Sequence, residues 1–240
     1  MFNKAYAGPI DIEYDSVGNL PDATFGGSGI SNDNVAITSY IEQICTTRCR
    51  DSGVIITLGL QAHGRYNSSL VSTDGAGTYY APIGASIPNG SSLMGSSWNF
   101  DYYINVEGSD FSIFDFRLLY DFNPAVANEE SDHGILDINS ALATFPGSTL
   151  ADISRNQSSQ NLMFNFLSTP SPFITVPTDV SSFDPNAVGE YTFALAAYRG
   201  NQEVSRTAIR VVAQSVDVPE PSSFAILMLG LIAMGRRINS

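Results

Sequence analysis

The sequence predicts an all-β fold: an antiparallel β-sandwich followed by a short apolar segment that would form a C-terminal transmembrane helix. Three observations carry this. Short runs rich in Val, Ile, Tyr and Phe recur along the chain, clusters of Gly, Pro and Asn separate them, and two runs alternate apolar with polar residues. Little of the chain shows a helical period. At 240 residues with 43% hydrophobic and 11% aromatic side chains, the chain can bury a real core. The expected division is residues 1–7, an exported sandwich over 8–217, and a tail over 218–240.

Taken in order, Ala5-Tyr6-Ala7 before Gly8-Pro9 looks like the A-x-A cleavage site that closes a secretory signal peptide. This predicts a mature protein beginning near Gly8, with residues 1–7 a remnant of the signal. Residues 8–35 read as a turn-rich lead-in. Their glycine cluster, Gly26-Gly27-Ser28-Gly29, lacks both the Lys-Ser/Thr of a phosphate loop and the G-x-G-x-x-G spacing, so it is read as a loop. Val35–Ile41 and Val54–Leu60 are β-branched strand candidates.

Between those strands, Cys45 and Cys49 are the only cysteines. In an exported chain, two thiols at a hairpin tip read first as a small local disulfide, which the loop-entropy model credits with about 2 kcal/mol. Free thiols are the alternative. A redox C-x-x-C needs a shorter spacing, and a zinc site would need two more ligands, with His63 and His133 distant in sequence.

Residues 61–96 are polar and turn-rich. Next, Trp98, Phe100, Tyr102, Ile104 and Val106 alternate with polar partners, a strand with one buried face. Phe114, Phe116, Leu118, Tyr120 and Phe122 repeat the pattern after a Gly108-Ser109-Asp110 turn, which predicts that the two runs pair as a hairpin. Asn123-Pro124 ends the second. Glu129-Glu130-Ser131-Asp132-His133 lacks the register of an EF-hand and reads as a solvated loop, with weak calcium binding the other option. Asp137–Phe145 fits one short helix, and Asn161–Leu167 a further strand. Gly189–Leu195 and Val204–Ala213 form the last hairpin. Its entry, Asp184…Gly189-Glu190-Tyr191-Thr192-Phe193, resembles the penultimate strand of immunoglobulin-like sandwiches, so the fold is expected to be immunoglobulin-like or jelly-roll-like.

Eleven basic against twenty-four acidic residues leave a formal net charge of −13, without the basic footprint that nucleic acid requires. There is no G-x-S-x-G elbow, no Ser-x-x-Lys and no H-E-x-x-H, and Lys4 is the only lysine. No catalytic, cofactor-binding or metal-binding residue is assigned.

The tail is the most specific stretch. Val218-Pro219-Glu220-Pro221 is extended, because proline fixes φ and removes backbone donors. An uncharged apolar run follows from Phe224 to Met234, then Arg236-Arg237, a positive pair of the kind held on the cytoplasmic side of a membrane. A helix over the apolar run would reach about 16 Å, short of a hydrocarbon core of about 30 Å. These three parts resemble the PEP-CTERM sorting signal of Gram-negative bacteria. The resemblance implies processing by exosortase at the inner membrane, then delivery to the cell surface or an exopolysaccharide matrix.

The expected function is that of a non-enzymatic exported protein with a structural or adhesive role. One alternative is a carbohydrate-binding module for exopolysaccharide, which needs rings such as Tyr79, Tyr80 or Tyr103 exposed in a row. A second is a polysaccharide hydrolase, which needs two carboxyls converging in a cleft.

Overall fold

The computed structural model describes residues 8–43, 53–67, 70–87 and 94–215. Its strands are β1 (Ser16–Gly18), β2 (Val35–Gln43), β3 (Gly53–Gly64), β4 (Ser72–Thr73), β5 (Thr78–Pro82), β6 (Ala85–Ser86) and β7 (Gly95–Ser96). There follow β8 (Trp98–Glu107), β9 (Asp115–Tyr120), β10 (Gly134–Asp137), β11 (Arg155–Gln160), β12 (Ile174–Thr175), β13 (Gly189–Arg199) and β14 (Gln202–Gln214). One short helix, α1 (Ile138–Ala143), lies between β10 and β11.

Two sheets stack as the alternating patterns require. One has the order β1-β2-β3-β8-β11 and the other β12-β10-β9-β13-β14-β5-β4, while β6 and β7 pair separately. Ladders are antiparallel except β5 against β14, which run parallel. The inner faces meet in an aromatic core. Phe100 of β8 stacks on Phe193 of β13 with centroids 4.4 Å apart. Trp98 meets Phe193 edge-on at 6.1 Å, and Phe183 likewise at 6.1 Å. Trp98, Phe100 and Phe193 are fully buried and Phe183 partly so, and this inter-sheet contact belongs to the main hydrophobic core.

Several expectations are corrected. The two aromatic strands β8 and β9 do not form a hairpin. β8 pairs with β3 and β11, β9 with β10 and β13, so they belong to opposite sheets. The segment between them crosses the sandwich, with Gly108 at φ +80 starting the turn and Phe111 donating to the Ile153 carbonyl at 2.8 Å. Asn161–Leu167 is not a strand. The strand is the polar Arg155–Gln160 just before it, and Asn161 turns the chain into a short 3-10 helix, Asn165–Ser168. Within the turn-rich stretch 61–96 lie the end of β3 and all of β4 to β7.

β8 is buried on both faces. Its outer residues Asp101 and Tyr103 are as inaccessible as its core residues, because the lead-in folds over them. Ala23, Phe25, Val35 and Tyr103 form a second apolar cluster there, and the Gln157 amide oxygen accepts from Thr24 and Phe25 backbone N–H groups. The lead-in is therefore structural. Its first part, residues 8–14, straps the other sheet: Ile10 packs on Leu119, Ala194 and Ala208, and Glu13 bridges to Ala208. Among the described residues no helix is long and apolar enough to cross a membrane. The predicted transmembrane helix, the signal remnant and the Cys45–Cys49 pair lie outside the described residues.

Candidate functional site

Both histidines sit beside a buried aspartate. On the outer face of the first sheet, the Asp101 Oδ2 atom receives the Gln61 amide at 2.9 Å and contacts His63 Nδ1 at 2.7 Å. Gln61 also donates to the Ser31 carbonyl at 2.8 Å, tying the lead-in to the pair. Asp101 is fully buried, with Oδ1 lacking a hydrogen-bond partner. Among the described residues no hydroxyl is hydrogen-bonded to His63.

On the second sheet, His133 is buried and both ring nitrogens are engaged. Nδ1 faces the Glu129 carbonyl at 3.1 Å, which can only accept, so Nδ1 carries a proton, and Nε2 shares a 2.7 Å hydrogen bond with the Thr192 hydroxyl. Asp121 lies 3.7 Å from Nε2. Its oxygens receive Asn128 Nδ2 and the Asn123 backbone N–H, both at 2.7 Å. Burial pushes the Asp121 carboxyl above the usual range; His133 and these hydrogen bonds act against that shift.

The acidic run 129–133 is not the solvated loop its composition suggests. Glu130 makes a two-pronged ion pair with Arg206 at 2.8 and 3.0 Å, and Glu203 grips the same guanidinium at 2.8 and 2.9 Å. Burial opposes the Arg206 charge, but these bonds outweigh it and raise its pKa above the ordinary value. Glu129 accepts from the Gly8 backbone, and Asp132 from the Thr178 hydroxyl at 2.8 Å. Among the described residues no group of three or more His, Cys, Asp or Glu is placed to hold a metal ion.

The aromatic platform does not form. Tyr79 and Tyr103 are each 2% exposed, Tyr79 donating its hydroxyl to the Asn34 carbonyl; only Tyr80 is half-buried. Among the described residues the exposed tyrosine is Tyr66, at one end of the sandwich with φ +87. It borders a depression of about 270 Å³ that Leu70, Ile87, Ser86 and Ser97 also line. Arg65 lies across Gly95, where a Cβ would overlap the guanidinium, and packs between the Tyr66 and Phe164 rings at 5.0 and 5.9 Å. The same end is where the chain leaves β14: the Gln214 carbonyl accepts from Ile83 at 3.0 Å, next to Gly84 and Ser97.

What leaves there decides the assignment. The family model described as the PEP-CTERM protein-sorting motif matches residues 217–238. The chain carries a PEP-CTERM motif. That motif is a substrate signal for exosortase processing and marks an exported protein handled at the membrane. It includes Val218, Pro219, Glu220, Pro221, Arg236 and Arg237, all outside the described residues. No curated protein and no solved structure matches the chain. The PEP-CTERM motif was readable because it is contiguous. The His63–Asp101 and His133–Asp121 pairs were not, since each joins residues that only the tertiary fold brings together.

Proposed function

We propose that this PEP-CTERM protein is a non-enzymatic β-sandwich that exosortase passes from the inner membrane to the envelope or exopolysaccharide matrix, where it acts structurally or adhesively. The observation that carries this reading is the sorting motif at residues 217–238. The sandwich supports it through the use of its polar groups. His133, Asp121, Arg206 and Glu130 are spent on holding segments together, and the formal charge of −13 keeps an exported domain soluble. Neither Tyr79 nor Tyr103 is available to stack on a sugar, so the carbohydrate-module reading loses two of its three rings.

Intact mass of the native protein from envelope and matrix fractions tests the proposal. A matrix species lacking the residues beyond Pro219-Glu220-Pro221 is expected. A full-length mass retaining Arg236-Arg237 and confined to the inner membrane would overturn delivery. Release of sugars from purified exopolysaccharide by the protein would overturn the non-enzymatic assignment.

A further inference from the structure

Exposed apolar side chains are distributed unevenly over this molecule. Among the described residues nine large apolar side chains are exposed, and seven of them lie at the end from which the tail departs. Tyr66, Leu70 and Ile87 line the depression, and exposed Met94 immediately precedes Gly95, against which Arg65 lies. The chain order fixes this placement. Gln214 is opposite Pro82 in the parallel ladder, Gly84 accepts from Ser97 at 2.9 Å, and Arg65 donates to Ser97 at 2.9 Å. Val126 and Val188 flank the Pro124–Glu190 contact, one step from where Gly189 pairs with Ala213. Phe166 sits on the turn whose Leu167 carbonyl receives the Tyr120 hydroxyl at 2.5 Å.

The two exceptions mark the opposite end. Ile41 neighbours Glu42, which pairs with Arg199 at the β13–β14 turn, and Phe145 follows α1. An apolar surface concentrated at one pole needs a cover, because isolated exposed residues are normal but a contiguous patch marks an interaction site.

The tail identifies the cover. From Ser215 to Phe224, where the apolar run begins, the chain can extend at most about 30 Å. β14 runs the length of the sandwich, and its 13 residues span about 40 Å. A tail held in a bilayer therefore keeps the exit pole within reach of the lipid and the far pole out of reach. Tethering raises the local concentration so far that a modest apolar patch suffices to dock. The exposed Tyr66 ring is also of the kind enriched at membrane–water interfaces.

We propose that the exit pole, centred on Tyr66, Leu70, Ile87 and Met94, is a lipid-docking surface that seats the sandwich on the bilayer while the tail is anchored. The inference rests on the sorting-motif reading of the tail. The mechanism is burial of apolar side chains at the headgroup boundary. Phosphatidylcholine suffices as partner, since the domain is too acidic to favour anionic headgroups.

The test uses the full chain reconstituted in phosphatidylcholine vesicles with bromines on the acyl chains. Native Trp98, the only tryptophan, is buried and supplies a constant background. One tryptophan at a time is added as Tyr66→Trp, Ile87→Trp, Ile41→Trp or Met228→Trp. Docking predicts that the added emission at 66 and 87 falls by about half, as at an interfacial site some 5–10 Å deep. Emission at 41 should be unchanged. Quenching at 228 with positions 66 and 87 behaving like 41 would overturn the docking surface alone. No quenching at 228 would overturn the membrane reading of the tail, and docking with it.

Discussion

Asn161 shows how one side chain can replace a strand. It is fully buried, accepts from the Ser96 and Met163 backbone N–H groups, and donates to the Ser96 and Trp98 carbonyls. Asn161→Ala leaves those backbone groups unpaired in a dry site and should cost about 2–3 kcal/mol in urea unfolding. Asp121 gives a pH signature. Its folded pKa is raised, so its contribution favours the fold below the unfolded value of 3.8 and is lost as pH rises through the higher folded value. Asp121→Asn does not titrate. The difference in Tm, wild type minus variant, should therefore be greatest in acid and shrink as pH rises above 4; a difference that is flat with pH would refute the raised carboxyl. Arg206 offers a third test. Arg206→Ala leaves Glu130 and Glu203 without their shared cation and should cost about 3 kcal/mol, whereas Arg206→Met, which keeps the packing stem, should cost less when Glu130→Gln accompanies it.

At the scale of elements, Gly134 of β10 sets the distance to β9. A Cβ there would overlap the ring of Tyr120, whose hydroxyl is fixed on the Leu167 carbonyl. Gly134→Ala should displace that ring and lower stability by about 1–3 kcal/mol, measurable by thermal unfolding. Strands with branched or alternating apolar residues, β2, β3, β8, β13 and β14, were legible because periodicity reports burial. Which sheet a strand joins was not. Phe100 and Phe116 have the same inward alternation whether β8 and β9 are neighbours or face each other across the core. The polar β11 was invisible for a related reason: as an edge strand it buries little, and its sequence Arg-Asn-Gln-Ser-Ser-Gln carries no apolar period. The linear sorting motif was legible in full. The exit pole, assembled from residues between 66 and 188, was not.

Over the whole molecule, the lead-in closes both outer faces. Residues 8–14 cover one sheet and residues 20–35 the other, so the chain's least patterned stretch is structural cladding. A chain beginning at Asp15 would lose Ile10 from the cluster with Leu119, Ala194 and Ala208, worth about 2 kcal/mol. For a domain of this size that corresponds to a Tm about 5 °C lower. An unchanged Tm would mean the strap contributes nothing. The position of β14 has a mechanical consequence. It is an interior strand, paired over nearly its whole length with β13 on one side and over Arg210–Gln214, its last five residues, with β5 on the other. A pull transmitted through Ser215 runs along the strand axis and loads these rungs together in shear, instead of peeling them one by one. The sandwich is thus joined to its tail through a strand whose last residues are held by neighbours on both sides.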